Sequence, residues 1–395
     1  MTIDLDSKAF RAAYARFLDA PEAQGRVLLT GHSHQAWPDV AREAVARSFD
    51  DAARLVDDKW GAVFGILDSV GRRVLTRMGF DPGDPIAFGK STHELVFRWM
   101  TCFPWNEETH LVTTESEFHS MYRQASRLAE EGVRVTWVPG FPREGLVDRM
   151  LEALQPGVTM VAISAVMFED SYVVPRVGEI LARAKAIGAV ALVDAYHAFN
   201  VAPLDLGPAD VRDTAFVTAG GYKYAAFGEG VCWLRVPRDT ALRPVDTGWF
   251  ADFEALEGPR SHRVGYGPGG LRFTGATFDP SSFYRAAASL DHWERFGLGV
   301  AELRAISVRQ TTRVIDRLEA RGRGDRIVTS RDPARRGGFV AVRTPHADEV
   351  VRSLRQQNVW VDARGDLLRI GPAPYLTDEE LDRGVDVVAG VLREA

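Results

Sequence analysis

The chain has 395 residues, of which 46% are hydrophobic and 26% charged, and its formal net charge is −6. That length suits a large domain plus a smaller one, with apolar material for a substantial core. The mildly acidic balance, with basic residues dispersed, excludes bulk nucleic-acid binding and leaves a small anionic ligand in a local basic pocket as an option.

Cys102 and Cys232 are the only cysteines. They form no C-x-x-C pair and no disulfide framework, which points to a reducing compartment. The first residues, M-T-I-D-L-D-S-K, lack the basic start and apolar run of a signal peptide. No apolar stretch approaches the ~18 residues of a membrane span. A cytoplasmic protein without a membrane or nucleic-acid partner is expected.

Near the start, G-H-S-H-Q-A-W-P carries His32 and His34. Two histidines this close raise the question of a metal, but no acidic or cysteine partner has ligand spacing nearby, so no metal is expected. Next, in I-A-F-G-K-S-T-H-E-L-V-F, a strand runs into Gly89 and Ser91-Thr92 opens a helix. Hydroxyls and free N–H groups at a helix start make an anion site, and an ordinary N-cap explains Ser91 equally well. The spacing is not that of a Walker loop. In H-L-V-T-T-E-S-E-F-H-S, a strand is followed by Phe118 and His119 at a turn. An aromatic there can stack on a flat ring or fill a core.

The runs V-R-V-T-W-V, V-T-M-V-A-I-S, A-V-A-L-V-D and A-F-V-T-A read as further buried strands, with helical patterns over 94–103, 120–131 and 177–187. This alternation predicts a mostly parallel sheet covered on both faces, with G-V-C-W-L-R-V as an antiparallel member. One strand ends in D-A-Y-H, placing Asp194 and His197 beyond its carboxyl end, where ligands of parallel sheets bind. The next ends in F-V-T-A-G-G-Y-K-Y, placing Lys223 between Tyr222 and Tyr224. An acid and an amine thus meet one crevice; a helix-capping Asp194 and a solvated Lys223 are the plainer alternative.

From about 250 to 272 the pattern becomes a Gly/Pro-rich loop. A long helical segment is expected over 281–318, followed by strand–helix–strand in G-F-V-A-V-R, A-D-E-V-V-R-S-L-R-Q-Q-N, V-W-V-D-A-R and L-L-R-I-G. The expected organisation is residues 1–30 as an N-terminal segment packing on the small domain, 31–280 as the large domain, and 281–395 as a small α+β domain.

Taken together, the phosphate-type turn, the aromatic, the acid and the amine ask for a phosphorylated pyridine aldehyde. Pyridoxal 5′-phosphate (PLP) meets those demands, since it needs a Schiff-base lysine and an acidic partner for its ring nitrogen.

On D-A-Y-H at 194–197 and Y-K-Y at 222–224, the chain resembles the fold-type I, class V branch of PLP enzymes, and most closely kynureninase. The resemblance runs from about Leu28 to the C-terminus. It implies the aspartate aminotransferase-like α/β fold, a homodimer with shared active sites, and PLP as cofactor. By the same resemblance, Lys223 carries the cofactor, Asp194 holds the ring nitrogen, His197 supports the site near Asp194, and Tyr222 contacts the phosphate. Ser91 and Thr92 match the phosphate turn, Phe118 the stacking aromatic, and Trp249 in T-G-W-F the phosphate- or substrate-side tryptophan. Thr277 matches the residue that reaches the neighbouring subunit's cofactor, with the loop at 258–270 beside it. Arg369, in the R-x-x-P-x-P-like stretch R-I-G-P-A-P-Y, matches the grip on the substrate α-carboxylate. His34 lies in a segment that the resemblance puts at the substrate.

The implied reaction is hydrolytic Cβ–Cγ cleavage of L-kynurenine or 3-hydroxykynurenine to anthranilate, or its 3-hydroxy form, and L-alanine. The implied alternatives are an aminotransferase, an epimerase or a β-eliminating lyase, and, outside catalysis, a PLP-fold binding protein. Three positions depart from kynureninases and their relatives. His119 stands for a proline, Glu169 for an asparagine near the ring oxygen, and Thr277 for an asparagine or serine. Neither cysteine lies in the C-terminal loop where the desulfurases of this branch keep their nucleophile.

Overall fold

A computed structural model describes residues 7–258 and 262–394. The short apolar runs form strands β1 (Val27–Leu28), β2 (Ile86–Gly89), β3 (His110–Thr114), β4 (Arg134–Val138), β5 (Met160–Ser164), β6 (Val190–Asp194), β7 (Phe216–Gly220) and β8 (Cys232–Arg235). All but β1 make one seven-stranded sheet of order β2-β8-β7-β6-β5-β3-β4. The pairs among β7, β6, β5, β3 and β4 are parallel. Strand β8 runs antiparallel to both β2 and β7, as its place after the Lys223 turn predicts.

Alternation along the strands feeds two cores. Val161, Ile163, Val193 and Val217 enter one, and Met160, Ala162, Leu192 and Phe216 the other. Side chains of a strand point to opposite faces in turn, so a sheet buried on both faces needs apolar residues at every position. Strands β5 and β7 are buried throughout. The helices Thr92–Met100, His119–Glu130 and Val177–Ala186 stand where their patterns predict them, within a few residues.

The C-terminal part adds β9 (Val340–Arg343), β10 (Val359–Trp360), β11 (Asp362–Arg364) and β12 (Leu367–Ile370). Strands β11, β12 and β9 form an antiparallel sheet, whereas β10 pairs in parallel with β1. The run V-W-V-D-A-R is therefore two strands, divided at Val361 and committed to different partners. Phe10, Tyr14, Leu18 and Val27 share a third core with Leu303, Val314, Val340, Leu368 and Val385. Residues 1–6 of the N-terminal segment, and 259–261 of the expected loop, lie outside the described residues.

The helical stretch expected over 281–318 is broken. Helix Ser281–Arg295 ends before Gly297, whose φ of 64° lies in the left-handed region that favours glycine. A second helix, Val300–Ala320, then starts from Gly299. The first buries Phe283 and Leu290 in a sheet core and Trp293 in the third core, so it bridges the two.

One glycine ties this framework to the carboxyl edge of the sheet. A Cβ on Gly220, the last residue of β7, would overlap Cys232 Sγ and the Tyr196 hydroxyl. Gly220→Ala is expected to cost about 1–3 kcal/mol by overpacking and to lower the melting temperature in thermal denaturation. An unchanged melting temperature would mean that Tyr196 yields without cost.

Candidate active site

Strands β5, β6 and β7 end at the same edge of the sheet. Ser164 pairs with Asp194 and Asp194 with Thr218 in register, so the chain segments leaving these strands converge. After Gly220 the backbone folds back through residues 221–231 into β8. Gly221 N–H donates to the Val231 carbonyl, Phe227 N–H to the Gly221 carbonyl, and Ala226 N–H to the Lys223 carbonyl. Tyr224 is buried, and its carbonyl accepts from Asn200 Nδ2 at 3.2 Å. The turn is pinned on both sides of Lys223, and Tyr224 serves as packing.

Lys223 is 5% exposed. Its Nζ lies 4.3 Å from the Tyr196 ring centre, 5.2 Å from that of Phe118 and 5.5 Å from that of Tyr222. The amine meets His197 Nε2 at 2.8 Å. Burial lowers its pKa to about 7; Asp194 opposes the drop and Arg369 adds to it. Burial, then Lys223 itself, keep His197 neutral by lowering its pKa well below the usual histidine value. His197 thus attends the amine of Lys223, whereas the carboxylate of Asp194 accepts from the Tyr196 N–H at 2.8 Å. Burial raises the Asp194 pKa against the pull of that N–H and of Lys223.

A cavity of about 250 Å³ opens between these groups, near the small end of ligand pockets (roughly 300 Å³ upward). It is lined by Ser91, Thr92, Phe118, Asp194, His197, Tyr222 and Lys223, seven of the residues singled out from sequence. Ser91 caps helix Thr92–Met100, its Oγ accepting from Glu94 N–H at 3.2 Å. The N–H groups of that first turn have no carbonyls within the helix to bond. His34 stands beside the cavity, stacked on Tyr222 with ring centres 5.3 Å apart. Burial raises the Tyr222 phenol to about 12, so it keeps its proton at neutral pH.

Other expected residues lie apart. Thr277 lines a neighbouring groove of about 1140 Å³ that meets the first cavity at Lys90, Glu229 and Gly230. Trp249 is 48% exposed and packs on Phe250 and Phe253. Arg369 is buried behind the cavity, paired with Asp362 and donating from Nη1 to the Phe168 carbonyl at 2.7 Å. Glu169 pairs with Arg143 at 2.6 Å, and it is Phe168 that lines the cavity. His119 begins a helix, its ring 5.4 Å from those of both Phe118 and Phe168.

Several lining residues went unread in the sequence. Ser164 sits at the carboxyl end of β5, the position that the strand-end rule marks. Its Oγ donates to Glu117 at 2.6 Å, and Glu117 is a carboxyl raised to about 7 by burial. Tyr196, two residues after Asp194, forms a wall beside Lys223. Cys232 also lines the cavity; burial raises its thiol to about 12, which keeps it protonated and unreactive. No alternation pattern distinguishes these residues from core.

The chemistry of the donor set fits PLP. The cavity offers an amine that titrates near neutral pH, a carboxyl group at a strand end, a helix start with hydroxyls, and an aromatic face. The Nδ1 of His197 is buried without a hydrogen-bond partner, which marks a polar wall rather than a sealed core. Among the described residues, no cluster of histidine, cysteine or acidic side chains is arranged to hold a metal ion, and no helix is long and apolar enough to cross a membrane.

A family model described as the kynureninase C-terminal domain matches residues 303–388. A kynureninase from Deinococcus radiodurans is 31% identical over 221 residues, covering 54% of this chain and 52% of that protein. The chain thus aligns with about half the length of that relative. Isopenicillin N epimerase from Streptomyces clavuligerus is 27% identical over 278 residues, covering 66% of this chain and 67% of that protein. Among solved structures, a mutant of C-DES with glycine covalently linked to its PLP cofactor aligns with a TM-score of 0.83 at 17% identity. That match covers 96% of this chain and 98% of the other, and establishes the fold.

In protein stripped of cofactor, the Lys223 amine is expected to titrate near pH 7, against about 10.4 for a free lysine. Acetylation with acetic anhydride across pH, read by peptide mass at Lys223, measures this. Asp194→Asn removes a carboxylate that favours the ammonium form, so the midpoint should move lower still. A midpoint that stays in place would break the electrostatic link between the two residues.

Proposed function

We propose that the chain is a class V, fold-type I, PLP-dependent enzyme that acts on an amino acid, and that its reaction is kynureninase-type hydrolysis. The substrate would be L-kynurenine or 3-hydroxykynurenine, and the products anthranilate or its 3-hydroxy form, with L-alanine. The observation that carries this reading is the match of residues 303–388 to the kynureninase C-terminal domain, because that segment contains Arg369 and the paired strands β11 and β12.

In this reading Lys223 attaches the cofactor, Asp194 holds its ring nitrogen, Ser91, Thr92 and the helix start hold its phosphate, and Phe118 covers its ring. Bound there, PLP supplies an electrophilic carbon for an amine and an electron sink for charge developing at the substrate Cα. The protein's own groups do the rest. Burial leaves Lys223 with a free lone pair near neutral pH, so it can take the Cα proton as a general base. His197 Nε2 fixes the direction of that amine. Arg369 receives the α-carboxylate. Water adds to the γ-carbonyl and the Cβ–Cγ bond breaks; the water oxygen ends in the carboxylate of anthranilate. Tyr222, still protonated and held by His34, supplies the proton that completes the alanine methyl group.

The protein acts in this reading as a homodimer. The groove beside the cavity supports this, with Thr277 in its wall and exposed Trp249, Leu256 and Leu271 in the same part of the chain. The second reading is another class V reaction on an amino acid, and the longer alignment with isopenicillin N epimerase favours it.

Incubation of PLP-loaded protein with L-kynurenine, followed by anthranilate fluorescence, tests the first reading. Lys223→Ala is expected to lose roughly 10²–10⁴-fold or more of the rate. Tyr222→Phe should lower kcat by roughly 10²-fold while PLP loading persists. Absence of anthranilate, with cofactor absorbance still shifting on addition of other amino acids, would replace the first reading with the second.

A further inference from the structure

Arg369 does not stand free to meet a substrate. It lies on β12 directly across from Asp362 on β11. Its Nε donates to Asp362 Oδ1 at 2.9 Å and its Nη2 to Asp362 Oδ2 at 2.5 Å, a side-on fork. Its Nη1 donates to the Phe168 carbonyl at 2.7 Å. A guanidinium has five N–H bonds. Three are used, and one remains on each terminal nitrogen.

Asp362 has a second duty. His32 Nε2 meets Asp362 Oδ1 at 2.7 Å, and His32 lies in the loop that carries His34 to Tyr222. Behind the three, the Phe339 ring lies 4.6 Å from the His32 ring and 5.5 Å from the Arg369 guanidinium. Phe168, whose carbonyl fixes the far side of the fork, lines the cavity. The guanidinium can neither swing nor tilt without breaking its bonds to the partly buried Asp362 carboxylate or to the Phe168 carbonyl.

Resting on the reading of Arg369 as the α-carboxylate grip, we propose that Asp362 is a positioning residue for substrate recognition. It locks the guanidinium so that the remaining N–H on each terminal nitrogen is presented to the α-carboxylate. It also ties that grip to the His34 loop through His32. A single, partly buried carboxylate thus aligns two segments far apart in sequence around one amino-acid substrate. The opposite arrangement, in which Asp362 occupies the fork and competes with the substrate, predicts the reverse effect of its removal.

The test compares two probes on PLP-loaded protein, L-alanine and ethylamine, which share an amine and differ in the α-carboxylate. Their dissociation constants are read from the absorbance of the bound cofactor. In wild-type protein and in Arg369→Gln, the pair shows whether Arg369 discriminates by carboxylate; equal loss for both probes would sink the grip itself. Given discrimination, Asp362→Asn is expected to weaken L-alanine by about tenfold or more and ethylamine by less than about twofold. An unchanged or tightened L-alanine constant would overturn the positioning role while leaving Arg369 intact. Should Asp362→Asn fail to fold, Asp362→Glu answers the same question. It keeps the charge but moves the carboxylate by one methylene, so selective weakening of L-alanine supports positioning and wild-type discrimination refutes it.

Discussion

The site depends on one unfavourable placement, a lysine amine in the interior with no carboxylate in contact. Burying a charge is costly unless it is paired, and the cheaper outcome is to give up the proton. The surroundings are arranged to that end. Three aromatic rings crowd Nζ, and its hydrogen-bond partner among the described residues is a neutral histidine. Asp194 is near enough to favour the charged form, yet burial outweighs it. The result is an amine that titrates near neutral pH, with the lone pair that a nucleophile or base needs and that a solvated lysine lacks there.

The sheet topology makes that placement affordable in structural terms. Parallel strands β5, β6 and β7 deliver Ser164, Asp194 and the Lys223 turn to one edge, and antiparallel β8 closes the turn from behind. Gly220 lets Tyr196 and Cys232 approach the strand end where any side chain would overlap them. The backbone bonds of residues 221–227 then hold the lysine against the cavity. Strand order therefore determines the chemistry as much as residue identity does, because the groups come from segments more than a hundred residues apart.

Much of this was legible in the sequence, and the limits are physical. Strands and helices of the large sheet were readable because every position of a doubly covered strand is apolar. Seven of the cavity-lining residues were readable because they lie at or just beyond strand ends or open helices. What pattern cannot convey is register and pairing. V-W-V-D-A-R looks continuous, yet Val359-Trp360 pairs with the N-terminal segment and Asp362–Arg364 with β12. The segment at 281–318 looks like one helix because its apolar spacing persists across Gly297. Glu169 and Phe168 are neighbours in sequence, yet Phe168 lines the cavity while Glu169 pairs with Arg143. The resemblance puts His197 in the site near Asp194, and both line one cavity; the contact of its Nε2 with the Lys223 amine is not conveyed by any spacing along the chain.

Two aspartates near the amine show how environment assigns roles to the same side chain. Asp362 works against burial, but His32 and the Arg369 fork hold its pKa well below the usual carboxylate range. It is charged and fully engaged. Asp194 has a backbone N–H from Tyr196 and a distant Lys223, and burial raises its pKa. It is the carboxylate with capacity to spare and an incentive to gain a cationic partner. A protonated ring nitrogen in the cavity would supply that partner and reverse the cost of burial, whereas the same nitrogen at Asp362 would have to displace an arginine. Opposite shifts in two like groups thus separate the carboxylate that can receive a ligand from the one that holds the structure around it.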